Sequence, residues 1–341
     1  MTMTKYGILN RVLAVTVVMA SSVLVSSCDI INEDLEECNK GARLRFIYDY
    51  NMEFANAFPS QVDCLTLLIY DEGGNFVTSK SASAPEISQE SYRMNVDLPA
   101  GTYHFVAYGG MNCPESSFHF TDASTHSDVP DLLNNLEVEM NPDVITAPNG
   151  TDLHKLFYGD LDLTVPDDAL DYIDGTVKMM RDTNDIRILL QQINGEAVED
   201  DAFIYTVSAD NTLFNYMNNV IPVNTTLFYP WDRGQVSVGE NQYGSETVMA
   251  FAQFSLSRFT LSDRPTLTIR LKKDNKEVLS IPLIPYLLAL KNSRWETMDN
   301  QEYLDRENSW DMIFFLDSNY RWINVSILIN GYVVRINDIE F

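Results

Sequence analysis

The chain has 341 residues, 45% of them apolar, with 49 acidic against 23 basic side chains and a formal net charge of −26. Such acidity argues against nucleic acid and anionic membrane surfaces as electrostatic partners and favours solubility. The apolar and aromatic content is enough to bury real cores, which excludes a disordered stalk, and the length suggests about two domains at roughly 150 residues each.

Lys5 and Arg11 give a basic start, an apolar run extends from Val12 to Leu24, and Val25, Ser26 and Ser27 lead into Cys28. A basic region, a short apolar stretch and small residues before a cleavage point make a secretory signal. Ending at a cysteine, this one resembles the bacterial lipobox. Residues 1–27 are therefore expected to be cut away between Ser27 and Cys28, and Cys28 to carry the lipid. The apolar run is too short to span a bilayer, which takes roughly 20 apolar residues. Loss of Lys5 and Arg11, with no acid lost, takes the formal charge from −26 to −28. One acyl chain holds a protein only marginally, so stable anchoring needs more than one. Residues 28–40 carry Asp29, Glu33, Asp34, Glu36 and Glu37. They read either as a solvated linker or as an acidic tether like those of surface-exposed lipoproteins in some Gram-negative anaerobes.

With Cys28 reserved for lipid, Cys38, Cys64 and Cys113 allow at most one disulfide in an exported protein. Cys64 sits in an apolar strand-like run and reads as a buried small residue. Cys38 lies just before the first strand and Cys113 in a loop. The expected bridge is Cys38–Cys113, although spacing alone does not fix connectivity.

A period of two dominates from residue 41 onward, the mark of strands. Ala42, Leu44, Phe46, Tyr48 and Tyr50 alternate with Arg43, Arg45 and Asp49. Val62 to Tyr70 is apolar and ends at the turn residues 71–74. Residues 92–98 and 102–108 read as strands around Pro99-Ala-Gly101, where proline presets one turn angle and glycine permits another. Asp131 to Met140 reads as a short helix. After the strand at 160–165, Pro166 to Gly175 looks like a linker between halves. Further strands are expected at 176–180, 185–191, 203–208, 246–256, 266–271 and 277–282, and a second short helix at 300–308. The apolar, proline-broken run from Pro282 to Leu290 is too short to cross a membrane. Trp322–Ile329 and Tyr332–Ile339 flank Asn330-Gly331, a pair that favours the tight type I′ hairpin turn. Its last strand puts Tyr332, Val334 and Ile336 on one face, and it reads either as a permanent core hairpin or as a strand that pairs with a partner subunit. The fold class is all-β: tandem sandwiches at 41–170 and 171–341 with few short helices.

Signatures of catalysis are poor. His104, His119, His126 and His154 lack metal-site spacing, and no nucleophile elbow, P-loop or Cys-x-x-Cys occurs. Asp160, Asp162, Asp167, Asp168 and Asp171 form the densest carboxylate cluster, without EF-hand spacing, and read as an acidic linker. No catalytic residue, metal or cofactor is assigned, and no enzymatic activity is expected. Along Gln301-Glu-Tyr-Leu-Asp-Arg-Glu307, the charges of Glu302, Asp305, Arg306 and Glu307 are expected to pair on a helix face while Tyr303, Leu304 and Trp310 face the core.

Several segments together resemble FimB-type fimbrial anchor lipoproteins of type V pili. They are Cys28-Asp29, Asp34-Leu35 with Cys38, Arg43-Leu-Arg-Phe46, Tyr48-Asp-Tyr-Asn-Met52, Leu98-Pro-Ala-Gly-Thr-Tyr103, Asp182-Thr-Asn-Asp-Ile-Arg187, residues 301–307 and Ile329-Asn-Gly-Tyr-Val-Val-Arg-Ile-Asn337. One departure is Tyr108-Gly-Gly, where the family pattern has tryptophan before glycine. The resemblance implies two transthyretin-like β-sandwich domains and a structural role: an outer-membrane lipoprotein that anchors a surface fimbria, with limitation of its length as a further role. The partners it implies are a fimbrial stalk subunit and the outer membrane, reached through acyl chains. In stalk subunits of such pili an arginine-specific protease removes the first strand and a neighbour's strand fills the groove; an anchor keeps its lipid and that strand. Two rivals stand beside this reading. One is a processed stalk or tip subunit; the other is a glycan-binding surface lipoprotein using Trp231, Trp295, Trp310 or Trp322 as platforms.

Overall fold

In the computed structural model, residues 40–121, 129–145, 147–240, 246–291 and 294–335 are described. Ser27, Cys28, Cys38 and Ile336 lie outside them. The first half of the chain runs β1 (Gly41–Ile47), α1 (Phe58–Gln61), β2 (Cys64–Asp71), β3 (Phe76–Ser83), β4 (Met94–Asp97), β5 (Gly101–Gly109), β6 (Phe118–Phe120), β7 (Glu137–Met140), β8 (Phe157–Val165) and β9 (Tyr172–Arg181). The second continues with β10 (Thr183–Gln192), β11 (Phe203–Ala209), β12 (Leu213–Asn215), β13 (Val220–Ile221), β14 (Thr226–Phe228), β15 (Asp232–Glu240), β16 (Glu246–Ser257), β17 (Thr266–Leu271) and β18 (Glu277–Pro282). Two short helices, α2 (Leu283–Leu288) and α3 (Asn300–Arg306), precede β19 (Ser309–Leu316), β20 (Trp322–Ile329) and β21 (Tyr332–Arg335).

Seven strands form the first sheet, in the order β3-β2-β5-β8-β9-β1-β4. It encloses its own core: Leu65, Leu67, Ile69, Phe105 and Ala107 from β2 and β5 share one cluster with Ala42, Leu44, Phe46, Met94 and Val96 from β1 and β4. β2 is buried on both faces, which is why Cys64 to Tyr70 reads as a continuous apolar run. Leu68 and Tyr70 point the other way, into a second core that extends through the C-terminal half.

That half is a sandwich of a six-stranded sheet, β15-β16-β10-β19-β20-β21, and a four-stranded sheet, β14-β11-β17-β18. A small fourth sheet, β13-β12-β7-β6, takes two strands from each half. The fold is all-β, and among the described residues helix is confined to short segments.

Three expectations are corrected. Residues 131–140 are not a helix: a 3-10 turn at Leu133–Asn135 leads into β7, whose Val138 and Met140 are buried on one face. The boundary between the halves is not at 170/171. Tyr172–Arg181 belongs to the first sheet, running parallel to β1 and antiparallel to β8, so only Asp182 separates it from the first strand of the second half. Pro166 to Gly175 is therefore the connection between paired strands and the start of β9, not an interdomain linker. The third correction concerns the disulfide, which joins Cys64 to Cys113 with Cα atoms 6.3 Å apart, in place of Cys38–Cys113. The register explains the pairing. β5 lies beside β2 with Gly109 opposite Leu65, and the Gly110 amide donates to the Cys64 carbonyl, so the loop after β5 begins at the end of β2 that holds Cys64. Gly110 itself has φ +82°, and a Cβ there would stand 2.0 Å from the Lys155 carbonyl oxygen.

Candidate functional site

The two ends of the folded chain behave oppositely. β1 is an interior strand, antiparallel to β4 on one side and parallel to β9 on the other. Its inward residues Leu44, Phe46 and the following Tyr48 are at most 3% exposed. At about 1.5–3 kcal/mol for each large apolar side chain fully buried, they hold the strand by several kcal/mol. Arg43 pairs in both ladders and Arg45 in the β9 ladder. The Arg43 guanidinium reaches Asp171 at 3.1 Å and Asp174 at 3.5 Å and lies over the Tyr172 ring.

β21, in contrast, is an edge. It pairs only with β20, from Ile329 opposite Tyr332 to Ser326 opposite Arg335, and among the described residues no strand lies beyond it. Asn330 and Gly331 have φ of 45° and 79°, the two positive values a type I′ turn requires. The turn is tied down by Asn330, whose amide donates to the Asp311 carbonyl at 2.7 Å and whose Oδ1 accepts from the Asp311 amide at 2.7 Å. Tyr332 is 59% exposed and Val334 holds a ladder position opposite Ile327. An edge strand offers unpaired N–H and C=O groups to another chain.

Between these ends, three of the segments that carried the family resemblance meet at the junction of the halves. From the 301–307 segment, Asp305 receives both Nε and Nη2 of Arg258 at 2.8 and 2.9 Å. Gln301 donates to Asp305 at 2.9 Å and to the Phe259 carbonyl at 3.0 Å. Asp305 is thus buried rather than on the expected charged face; only Glu302 and Arg306 pair along the helix, at 2.7 Å. Arg306 then reaches the 48–52 segment, donating to the carbonyls of Asp49 and Asn51 and lying over the rings of Tyr50 and Phe54. From the 182–187 segment, Asp185 takes Arg181 at 2.6 Å, while Arg181 also donates to Asn308, which donates to the Tyr48 hydroxyl at 2.9 Å. Asn184 accepts the indole N–H of fully buried Trp310. Asp182 is 0% exposed, with one carboxylate oxygen bonded by Asn218 and the other without a protein partner. Burial pushes its carboxyl up to about 7, against the opposing pull of Arg258 and Asn218. Burial likewise raises Glu307 and the Tyr48 phenol. A buried network of this kind fixes geometry more than it adds stability.

The remaining sequence candidates disperse. His104 bonds Asp162, its cross-strand partner, and His119 lies 2.8 Å from the Asn141 side-chain oxygen. His126 lies outside the described residues. Asp171 pairs with Arg43, and Asp160 is exposed in β8, its carboxyl raised by partial desolvation and by neighbouring Asp162; among the described residues, the acidic cluster gathers no three carboxylates around one point. Of the tryptophans, Trp310 is core, Trp322 packs edge-on against Phe314, Trp231 is 37% exposed, and Trp295 stacks on exposed Phe54. The sequence did not point to Arg258 or Asn218; nothing in their immediate surroundings marks them, and they act only through partners distant in the chain.

No helix among the described residues is long and apolar enough to cross a membrane. The fold and the junction define a class: two-part all-β proteins whose halves are joined through a buried polar network. Residues 35–338 match the model of the Fimbrillin-A associated anchor proteins Mfa1 and Mfa2, and the chain belongs to that family. A solved protein from Bacteroides thetaiotaomicron, described as a candidate adhesin, is 47% identical over 89% of this chain and all of its own, with a TM-score of 0.83. A second from the same organism, described among candidate polysaccharide-binding proteins, is 27% identical over 88% of this chain and 98% of its own, with a TM-score of 0.72. The fimbrial anchor protein Mfa2 of Porphyromonas gingivalis shares the fold at 15% identity, a TM-score of 0.64, and coverage of 87% and 99% of the two chains. Comparison with curated proteins gave no match. Family membership gives the chain a fimbria-associated role in the cell envelope.

Proposed function

We propose that this chain is an outer-membrane lipoprotein, acylated on Cys28 and exposed at the cell surface, that anchors a fimbria by strand pairing with the first stalk subunit. The observation that carries the reading is the contrast between the two terminal strands. β1 is paired with β9 along its length and with β4 over Gly41 to Leu44, its inward face is core, and Arg306 clasps the backbone just after it. Excision of that strand, as a stalk subunit requires, would part β4 from β9 and remove Leu44 and Phe46 from the core; retention keeps Cys28 joined to the fold. Among the described residues no strand covers the outer side of β21, and a partner strand pairing there would take affinity from backbone hydrogen bonds and specificity from alternate side chains. Limitation of fimbrial length follows if one anchor caps one fimbria. Residues 28–40 serve as the tether between the lipid and β1.

Cys28→Ala tests the anchor. The variant should appear in the soluble or extracellular fraction, with fimbriae shed into the medium. Retention in the outer membrane at the wild-type level would contradict the proposal.

A second reading, glycan binding, is favoured by the Trp295–Phe54 stack, whose ring centres lie 5.7 Å apart and whose Phe54 is 51% exposed. Measurable affinity of the protein for polysaccharide, lost in Trp295→Ala, would support it.

A further inference from the structure

β21 begins at the wall of a cavity of about 230 Å³. Tyr332, Tyr303 and Trp295 supply aromatic walls, and Glu53 and Glu307 bring two carboxylates. We propose that this cavity is the socket for a lysine or arginine side chain carried by the partner strand that pairs with β21. The proposal rests on the strand-pairing reading above and adds the chemistry of the residue that the partner presents.

Ladder geometry brings the socket within reach. Tyr332 stands opposite Ile329, which is 0% exposed, and residues directly opposite in an antiparallel ladder share a face. Tyr332 therefore lies on the inner face of its sheet and yet is 59% exposed, at an edge beyond which no strand lies among the described residues. A strand added there would run about 4.8 Å farther out. Its residue opposite Tyr332 would point to the same inner face, beside the cavity that Tyr332 lines.

The charges select the side chain. Glu307 accepts the Ser309 amide at 3.3 Å. Among the described residues neither Glu307 nor Glu53 has a cation within ion-pair distance. Burial raises the Glu307 carboxyl and Glu53 adds to the rise, while the amides of Ser309 and Asn308 oppose it. A neighbouring cation would offset that cost. Arg294 is the one basic residue among those lining the cavity, and its guanidinium lies over the Trp295 ring, 4.6 Å from the centre. The lining thus keeps an excess of negative charge. A cation is attracted by the aromatic faces and donates charge-assisted hydrogen bonds to the carboxylates. An apolar side chain would fill the same space but desolvate both carboxylates without pairing them, and an acidic one would meet like charge.

The socket is built before any partner arrives. Tyr303 is 4% exposed and packs edge-on against Trp310, with ring centres 5.9 Å apart. Asn51 holds the loop that carries Glu53: its side-chain amide donates to the carbonyls of Tyr48 and Ala55 at 2.9 Å, and its Oδ1 accepts the Glu53 amide at 3.0 Å. Trp295 stacks on Phe54 of the same loop. A preformed socket loses little freedom on binding.

The test uses the full chain in cells that bear their own fimbriae. A photoreactive phenylalanine replaces Tyr332, and the peptide it links to is identified by mass spectrometry. That peptide should come from a fimbrial subunit and carry lysine or arginine within about two positions of the linked residue, the reach of diagonal neighbours in a ladder. With Tyr332 native, the double variant Glu53→Gln, Glu307→Gln should shed fimbriae about 10-fold faster. Added salt should speed shedding from the wild type and leave that variant unchanged. Glu53→Lys, on an exposed loop residue, should also shed faster while its outer-membrane level and circular dichroism stay as in the wild type. No link from this position while fimbriae remain attached would overturn the strand-pairing reading and the socket with it. A link to a segment without a basic residue there, or wild-type shedding in either variant that folds, would overturn the socket alone.

Discussion

Replacing Asp182 by asparagine should remove a pH dependence of stability that the junction builds in. Asp182 is fully buried between the halves, and burial raises its carboxyl from 3.8 to about 7. A carboxyl raised in the folded state makes the fold most stable where it is protonated in both states. Its contribution is complete below the unfolded value, declines as pH rises toward about 7, and is level above that. At about 1.4 kcal/mol per unit, the decline is on the order of 4 kcal/mol. Asparagine keeps an acceptor for Asn218 but carries no charge at any pH. Urea unfolding of the chain from Lys40 onward, followed at pH 4, 6 and 8, should therefore show the variant gaining on the wild type by several kcal/mol between the first and last values. The gain in that difference matters rather than its absolute level, because the asparagine amide meets the same unpartnered position as the second carboxylate oxygen. Parallel profiles for the two proteins would refute the reasoning and mean that the Asp182 carboxyl titrates alike in the folded and unfolded states, as a hydrated group would.

Two further predictions concern the terminal strands. An arginine-specific protease should leave Arg43 and Arg45 uncut in the native protein, because both are held in ladders and cleavage needs local opening; rapid native-state loss of the residues before Arg45, read by mass spectrometry, would favour the stalk-subunit reading. Truncation after Asn337 should release fimbriae into the medium while the lipoprotein stays in the membrane and folded; normal attachment would point to a contact other than the terminal residues.

Much of the fold was legible because strands announce themselves locally. Thr266–Leu271, Glu277–Pro282 and Trp322–Ile329 have the expected bounds, and the Asn-Gly turn follows from backbone preference alone. What the sequence hid was set by partners far along the chain. The segment after Pro166 has the composition of a linker, yet its continuation pairs with β1, more than 120 residues earlier: Gly41 lies opposite Tyr172. β7 has too short an alternation to be told from a helix turn, and its strand character comes from β6 and β12 on either side. The disulfide depended on the β2–β5 register, which no spacing rule contains. At the junction, the 301–307 segment stood out, and the short helix there was expected over Asn300–Asn308 against an observed Asn300–Arg306. The placement of Asp305 was not legible, because a carboxylate on a short helix reads as solvent-facing until Arg258 is seen across from it.

The central claim is that the chain keeps its lipid and its first strand. Mass spectrometry of the N-terminus of the protein isolated from outer membranes tests it most directly. An N-terminus at Cys28 carrying acyl chains, continuous through Arg43 and Arg45, is the predicted result. A start near residue 44 or 46 would contradict it and identify a processed stalk subunit.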